Sequence, residues 1–255
     1  MDLDTARKIA KLALRLGGLL LVVGAVFTIG LIGWQWQANV SVKTVAVDGA
    51  RHVQPDTLRA LARVDSGAVM DQLDVNLIAD RVHRHPWVQH VSVERRRATR
   101  TLGLVITERR PAALVIQDDQ PAFYLDAAGY AMPVPDSVGF DVPLVHGLDA
   151  PYNPINVVST DALSGLLQAL DGHPAQALIT EIDVARDESI RVLTQPTAKH
   201  PGVFADLGRD TFGTRLKRLV AFHHQVLQSN PDPPVGYVDL RFDGQIVAQK
   251  TPLDR

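Results

Sequence analysis

The chain has 255 residues, with 26 Lys and Arg side chains against 28 Asp and Glu, and it contains no cysteine. This near-neutral balance argues against nucleic-acid binding through a net positive charge. The absence of cysteine excludes disulfides and thiolate chemistry, and it is compatible with a bacterial periplasm, where disulfides are permitted but not required.

An uncharged apolar run occupies residues 16–34 and reads LGGLLLVVGAVFTIGLIGW. At about 1.5 Å per residue, a helix of this length spans close to the hydrocarbon thickness of a bilayer, about 30 Å. Trp34 and Trp36 follow at the position of an interfacial aromatic belt. The run therefore predicts a transmembrane helix over residues 16–36.

The charges on either side of the run predict its orientation. Four basic residues precede it: Arg7, Lys8, Lys11 and Arg15. The next basic residue is Lys43, so the Lys and Arg excess places the N-terminus in the cytoplasm and the rest outside. A cleaved signal peptide is the alternative, but it has a shorter apolar core, and Trp36 lies two positions before the candidate cleavage residue Ala38.

Residues 43–110 carry the pattern of a small α+β domain. A short alternating strand at 43–48 ends at Gly49, and Pro55 begins an amphipathic helix over 55–62. A second helix at 74–83 ends before Pro86, and two alternating strands follow. The expected order is β-α-α-β-β. The basic run at 95–97 lies in the strand pattern and is expected to be a solvated face or turn.

From residue 112 onward, short alternating stretches separated by turn residues predict a mainly antiparallel β region. Leucines at helical spacing predict a helix over 160–170, and a second helix is predicted over 210–226. A hairpin is expected around residues 186–188. Residues 237–248 are expected to form one terminal edge strand, with Val238, Leu240 and Phe242 on its inner face.

Candidate catalytic and metal sites are few. His83, His85 and His90 lack the spacing that zinc sites prefer, and no serine lies in a G-x-S-x-G or S-x-x-K motif. The expectation is therefore a protein without catalytic residues, metal, cofactor or small-molecule substrate. Trp87 is expected to be a core residue that packs against the helix carrying Ile78 and Val82.

An ordered set of motifs resembles the FtsQ/DivIB family of bacterial cell-division proteins. The segments that carry the resemblance are RHPWVQHVSVER at 84–95, LVITERRPAA at 104–113, YLDAAGY at 124–130, LGRD at 207–210, RLKRL at 215–219 and YVDLRFDG at 237–244. They follow one another in the family's order after a short tail and one span. The family's W-P after the first of these segments is Arg97-Ala98 here, and a glycine before the second helix is displaced to Gly67, which affects local loop shape.

The resemblance implies a domain organisation. A cytoplasmic tail (1–15) and the span (16–36) precede a POTRA domain (40–112), a β domain flanked by helices (113–248) and a C-terminal tail (249–255). The fold class is then a single-pass membrane protein with an α+β ectodomain in the periplasm.

The resemblance also implies a non-enzymatic divisome scaffold of the inner membrane, located at the septum. Its partners would be FtsB and FtsL, with the POTRA domain and the span as further contact regions for other divisome proteins. It would help to recruit and control septal peptidoglycan synthesis. The partner-binding residues so implied are Arg186, Tyr237, Asp239, Arg241, Phe242, Asp243, Gly244, Gln245, Ile246 and Val247. Such a strand offers unpaired N–H and C=O groups for main-chain pairing.

Two other classes of protein remain as alternatives. A POTRA-bearing envelope transport or chaperone component would be expected to show tandem POTRA units or a transmembrane barrel. A membrane-anchored periplasmic hydrolase would need a nucleophile or metal constellation, and the sequence motifs provide neither.

Overall fold

The structure is a computed structural model that describes residues 3–38, 40–135, 138–198, 200–229 and 235–250. The N-terminal helix α1 runs over Leu3–Ala38. Its segment Leu14–Leu31 has a mean hydropathy of 2.1, which makes α1 long and apolar enough to cross a bilayer. This is consistent with a single-pass membrane protein. The chain divides into two compact units, Met1–Val82 with Val91–Ile106, and His83–His90 with Thr107–Arg255.

A three-stranded sheet with two helices follows α1, in the predicted order β-α-α-β-β. Its elements are β1 (Thr44–Asp48), α2 (Pro55–Ala62), α3 (Val75–His83), β2 (Val88–Arg96) and β3 (Thr101–Glu108). The central strand β3 pairs in parallel with β1 and has β2 on its other side. Gly49 has a φ of +89°, and a Cβ there would collide with the Ile106 carbonyl oxygen, so the turn after β1 requires glycine.

The arginine run at the end of β2 is exposed, as predicted, and ties loops to the sheet. Arg95 donates to the carbonyl oxygens of Met70 and Leu73 at 3.0 and 2.7 Å. A single turn of 3-10 helix over Arg97–Thr99 then leads into β3. These arginines therefore have structural partners within the domain.

In its described residues the larger unit forms a nine-stranded sheet, with the strand order β12-β11-β10-β9-β8-β7-β4-β5-β6. Its strands are β4 (Ala113–Gln117), β5 (Gln120–Leu125), β6 (Ala131–Pro133), β7 (Leu144–His146), β8 (Ile179–Val184), β9 (Ile190–Thr194), β10 (Phe204–Gly208), β11 (Val235–Asp239) and β12 (Val247–Lys250). Five of the strand pairs are antiparallel, and three are parallel: β4 with β7, β7 with β8, and β10 with β11. The sheet is mixed, with antiparallel pairs in the majority.

Two helices, α4 (Asp161–Leu170) and α5 (Phe212–Phe222), share one hydrophobic core with this sheet. A register-matched row of fully buried side chains crosses it: Val115, Val145, Ile182, Val192, Ala205 and Val238. Strand alternation places the next row, which includes Glu181, Leu193 and Phe204, on the opposite face. That face is partly exposed and carries most of the polar groups described below.

A π-helical segment, His223–Leu227, continues α5 and buries a histidine. His223 is 3% exposed, and neither of its ring nitrogens has a hydrogen-bond partner in the described part of the chain. Burial, together with the neighbouring His224, lowers the pKa of His223 below its usual value of 6.5. The predicted helix over 210–226 is therefore confirmed in extent, with an altered hydrogen-bond pattern in its last turn.

The His223 pKa predicts a pH dependence of stability. Because the unfolded chain binds a proton more readily than the folded one, His223 stabilises the fold fully above pH 6.5 and progressively less as the pH falls below it. We expect His223→Gln to flatten the decline in melting temperature between about pH 7.5 and pH 5.5. The measurement is thermal unfolding of the full chain at several pH values, with the exposed His90→Gln as control. An unchanged slope in His223→Gln would contradict the assignment.

Candidate functional site

The candidate partner-binding residues lie at one end of the nine-stranded sheet, in the hairpin formed by β11 and β12. Tyr237 and Asp239 belong to β11, which is an inner strand between β10 and β12. Residues 241–246 form the connection, and Val247 begins the edge strand β12. The expectation of one edge strand over 237–248 is therefore wrong, because two strands and a turn occupy that range.

The turn after β11 has a local cause. The Asp239 carboxylate accepts a hydrogen bond from the Arg241 backbone N–H at 3.0 Å, which bends the chain immediately after the strand. Gly244 then adopts a φ of +73°, a left-handed conformation that favours glycine. The predicted inner face is only partly confirmed, since Val238 and Leu240 are fully buried whereas Phe242 is 49% exposed.

Arg218 on α5 holds the connection in place. Its guanidinium donates to the carbonyl oxygens of Leu240 and Phe242 at 2.7 and 2.5 Å, and to that of Gln245 at 3.4 Å. Three carbonyls of one turn are thus fixed by one side chain from the helix layer. The hairpin is consequently positioned by the core helix and not only by strand pairing.

Arg241 is fixed by the strand that it follows. Its guanidinium donates to both oxygens of the Asp239 carboxylate, with Nε–Oδ1 at 2.9 Å and Nη2–Oδ2 at 2.6 Å. These hydrogen bonds lower the pKa of Asp239 and raise that of Arg241. Because half of the Arg241 side chain remains exposed, the structure presents a pre-oriented cation beside the sheet edge.

A second polar group lies next to it, around Asp206 on β10. Asp206 accepts hydrogen bonds from Arg191 Nε at 2.7 Å and from the Tyr237 hydroxyl at 2.5 Å. Burial and this hydrogen bond raise the pKa of Tyr237 to about 12. Tyr237 is therefore neutral at physiological pH, and its hydroxyl donates to Asp206. This hydrogen bond links β11, the first strand of the hairpin, to β10.

A groove of about 260 Å³ joins this group to the β8–β9 hairpin, whose residues Ala185 and Ser189 line it together with Arg241. Arg186 is the next residue after Ala185 and lies exposed at the tip of that hairpin, as predicted. Its neighbour Asp187 pairs with Arg209 at 2.7 Å, which steadies the tip. Arg241 thus lines this groove, and Arg186 directly follows Ala185, which also lines it.

Among the described residues, no strand pairs with the outer side of β12. Every residue from Arg241 to Gln249 is exposed, and the apolar ones include Phe242 (49%), Ile246 and Val247. Asp243, Gly244 and Gln245 form the exposed tip between them. An edge strand flanked by exposed apolar side chains and a fixed arginine can accept an added strand through main-chain pairing and side-chain contacts.

The supporting residues Arg218, Arg191 and Asp206 were absent from the sequence prediction. Arg218 lies within the family segment RLKRL, which assigned it no role, and Arg191 and Asp206 lie outside the quoted segments. Their role depends on which distant segments the fold brings together. The periodicity of a sequence does not show this. Within the described part of the chain, no group of three or more His, Asp or Glu residues is arranged to hold a metal ion.

Comparison with known proteins identifies the family. Residues 40–109 match the model of the FtsQ-type POTRA domain, and residues 110–249 match that of the FtsQ/DivIB C-terminal-related domain. The chain is 44% identical over 258 residues to Cell division protein FtsQ of Salinibacter ruber, with both chains covered completely. It is 41% identical to Cell division protein FtsQ of Rhodothermus marinus, over 91% of this chain and 86% of that protein. The chain belongs to the FtsQ family of cell-division proteins.

Proposed function

We propose that this chain is a non-enzymatic divisome scaffold that binds FtsB, and through it FtsL, by adding a strand of the partner to β12. The open edge of β12 carries the proposal, because its main-chain groups lie beside a fixed arginine and an exposed aromatic side chain. Main-chain pairing would supply affinity, and Phe242, Arg241 and Arg186 would supply specificity.

The proposal includes the orientation inferred from sequence. With Arg15 and the other basic residues of the tail in the cytoplasm, the β domain would lie in the periplasm of a bacterial inner membrane. There it would help to place and control septal peptidoglycan synthesis at the division site. POTRA-bearing envelope transport is the weaker alternative, since both family models that match are of the FtsQ type.

The sheet geometry allows a backbone test that side-chain truncation cannot provide. Adjacent residues of an edge strand point their N–H groups in opposite directions, one into the sheet and one outward. Of Ala248→Pro and Gln249→Pro, one therefore removes an outward donor while leaving the pairing with β11 intact. We expect that variant to fold normally, lose FtsB binding in a pull-down from membranes, and fail to support division.

Phe242→Ala serves as the side-chain comparison and should weaken FtsB binding by about 2 kcal/mol if Phe242 is a hot spot. Gln120→Pro at the start of β5, remote from β12 in the strand order, controls for a general effect of proline. If both folded β12 proline variants bind FtsB with unchanged affinity, the docking surface lies elsewhere.

A further inference from the structure

We propose a second docking surface at the opposite end of the sheet, which binds a basic, apolar segment of a partner protein. The surface is the loop over residues 149–158, between β7 and α4. Three of its side chains are exposed and apolar: Tyr152 (42%), Ile155 (63%) and Val157 (48%). Contiguous exposed apolar side chains are typical of interaction sites, whereas scattered ones are not.

The loop is held in place at both ends, so its apolar side chains form a defined surface. The Gln117 amide donates to the carbonyl oxygens of Leu148 and Ala150 at 3.0 and 2.9 Å. At the other end, the Val158 N–H donates to the Gly129 carbonyl oxygen at 3.0 Å. In between, the Asn153 side chain accepts from the backbone N–H groups of Ile155 and Asn156, both at 2.9 Å.

The position of the loop makes it independent of β12. Val157 forms an isolated antiparallel bridge with Tyr130, the residue before the edge strand β6. Tyr152 packs on the core residue Phe123 of β5, with ring centroids 5.8 Å apart. Since β6 and β12 are the two ends of a nine-stranded sheet, the surfaces are separated by about 38 Å at 4.8 Å per strand.

The charge around the loop selects the partner. From Pro111 to Ala185 the sequence has ten Asp and Glu residues and no Lys or Arg, whereas residues 186–255 have ten basic and eight acidic residues. Asp149 and Asp161 flank the loop, and both are exposed. The Arg109 guanidinium nearest to this region is buried and paired with Asp126, so the exposed charges next to the loop include Asp149 and Asp161. Such a surface is complementary to a segment that combines apolar residues with Lys and Arg.

The same charges argue against other occupants. An anionic lipid surface attracts basic segments, and this region offers none. An isologous contact between two copies would bring the acidic borders, including Asp149, against each other. A partner protein with a basic amphipathic segment remains as the occupant. One chain can then bind one partner at each end of its sheet, as a scaffold must.

A peptide-binding experiment tests the surface directly. The full chain is placed in nanodiscs of zwitterionic lipid, and fluorescence anisotropy follows a labelled amphipathic peptide of Leu and Lys, with a Leu and Glu peptide for comparison. We expect the Lys peptide to bind and the Glu peptide not to bind. Ile155→Ser and Asp149→Lys should each weaken the Lys peptide about tenfold, whereas Leu77→Ser on α3, 45% exposed in wild type, should not.

Asp149→Lys removes no apolar packing, so it keeps the test valid if Ile155→Ser lowers the melting temperature. No binding of the Lys peptide, equal binding of the two peptides, or unchanged binding in Asp149→Lys would each overturn the proposal. If wild-type nanodiscs bind anionic vesicles and Ile155→Ser abolishes this binding, the surface binds lipid. If they bind one another and Ile155→Ser abolishes that binding, the surface binds a second copy. Either result would also overturn the proposal.

Discussion

Arg109→Ala should lower the stability of the folded chain by about 3–5 kcal/mol, because it leaves a buried carboxylate without its counter-charge. Arg109 Nη1 and Asp126 Oδ2 are 2.7 Å apart, and the two side chains are only 9% and 6% exposed. The guanidinium also lies 4.0 Å from the centroid of the Tyr130 ring. Asp126 in turn accepts the backbone N–H groups of Ala128 and Tyr130 at 3.0 and 2.9 Å, so the ion pair supports the β5–β6 turn.

Two comparison variants isolate the cause. Arg209→Ala removes an exposed ion pair with Asp187 and should leave the melting temperature nearly unchanged. Adding Asp126→Asn to Arg109→Ala removes the unpaired charge and should restore part of the lost stability. Thermal and chemical unfolding of the full chain would measure both. If Arg109→Ala unfolds at the wild-type midpoint, the pair contributes no stability and the interpretation is wrong.

Trp87→Ala should cost about 3–5 kcal/mol, a large fraction of the stability of a typical domain. The side chain is 5% exposed, which confirms the expectation of a core residue. The Trp87 ring contacts the Phe140 ring, with centroids 5.7 Å apart. Phe140 in turn contacts the Tyr124 ring edge-on, with centroids 5.3 Å apart. Packing of Trp87 on the helix that carries Ile78 and Val82 stays a prediction.

The control is Trp87→Phe, which keeps an aromatic ring and should cost much less than alanine. Trp87→Ala and Phe140→Ala should combine with a coupling energy of about 0.5–1.5 kcal/mol if the ring contact stabilises the fold. Strictly additive effects would show that the two rings contribute independently. A wild-type melting temperature for Trp87→Ala would show that the indole is not part of the core.

Local hydrophobic periodicity and turn residues were sufficient to predict most helices and strands. Leu163, Leu166 and Leu170 lie at helical spacing and are buried in α4, where spacing predicted them. The hairpin around residues 186–188 forms as expected, because turn residues separate two alternating runs there. In both cases the sequence signal and the burial it predicts fall within one short segment.

The sequence pattern did not predict which distant strands pair with one another. Nothing in the alternation of Tyr237 and Asp239 indicates that β11 pairs in parallel with β10 and is covered by β12 on its other side. Periodicity also favoured continuation of the strand through Phe242, whereas the bond from the Arg241 N–H to Asp239 turns the chain. Pairing between strands that are distant in the sequence depends on tertiary packing, which alternation does not report. For this reason the pattern predicts an edge strand where the structure has the inner strand β11.

The candidate site shows the same division between local and long-range information. The motif YVDLRFDG marked this segment, but as one strand with Phe242 on its inner face, whereas the structure forms a hairpin in which Phe242 is 49% exposed. Arg218 donates to three carbonyl oxygens of that hairpin from α5, and the motif RLKRL that contains it gave no sign of this role. A motif therefore pointed to the segment proposed as the docking surface, and only the structure shows that Arg218 holds its turn.

Amide hydrogen exchange on the edge strand tests the central claim most directly. The full chain in nanodiscs is compared with and without the periplasmic part of FtsB, and exchange is followed across the nine-stranded sheet. Strand addition to β12 predicts new protection of outward-pointing amides within Val247–Lys250, with little change at the β6 edge. If FtsB binds but leaves exchange in Val247–Lys250 unchanged and protects another surface instead, docking by strand addition to β12 is contradicted.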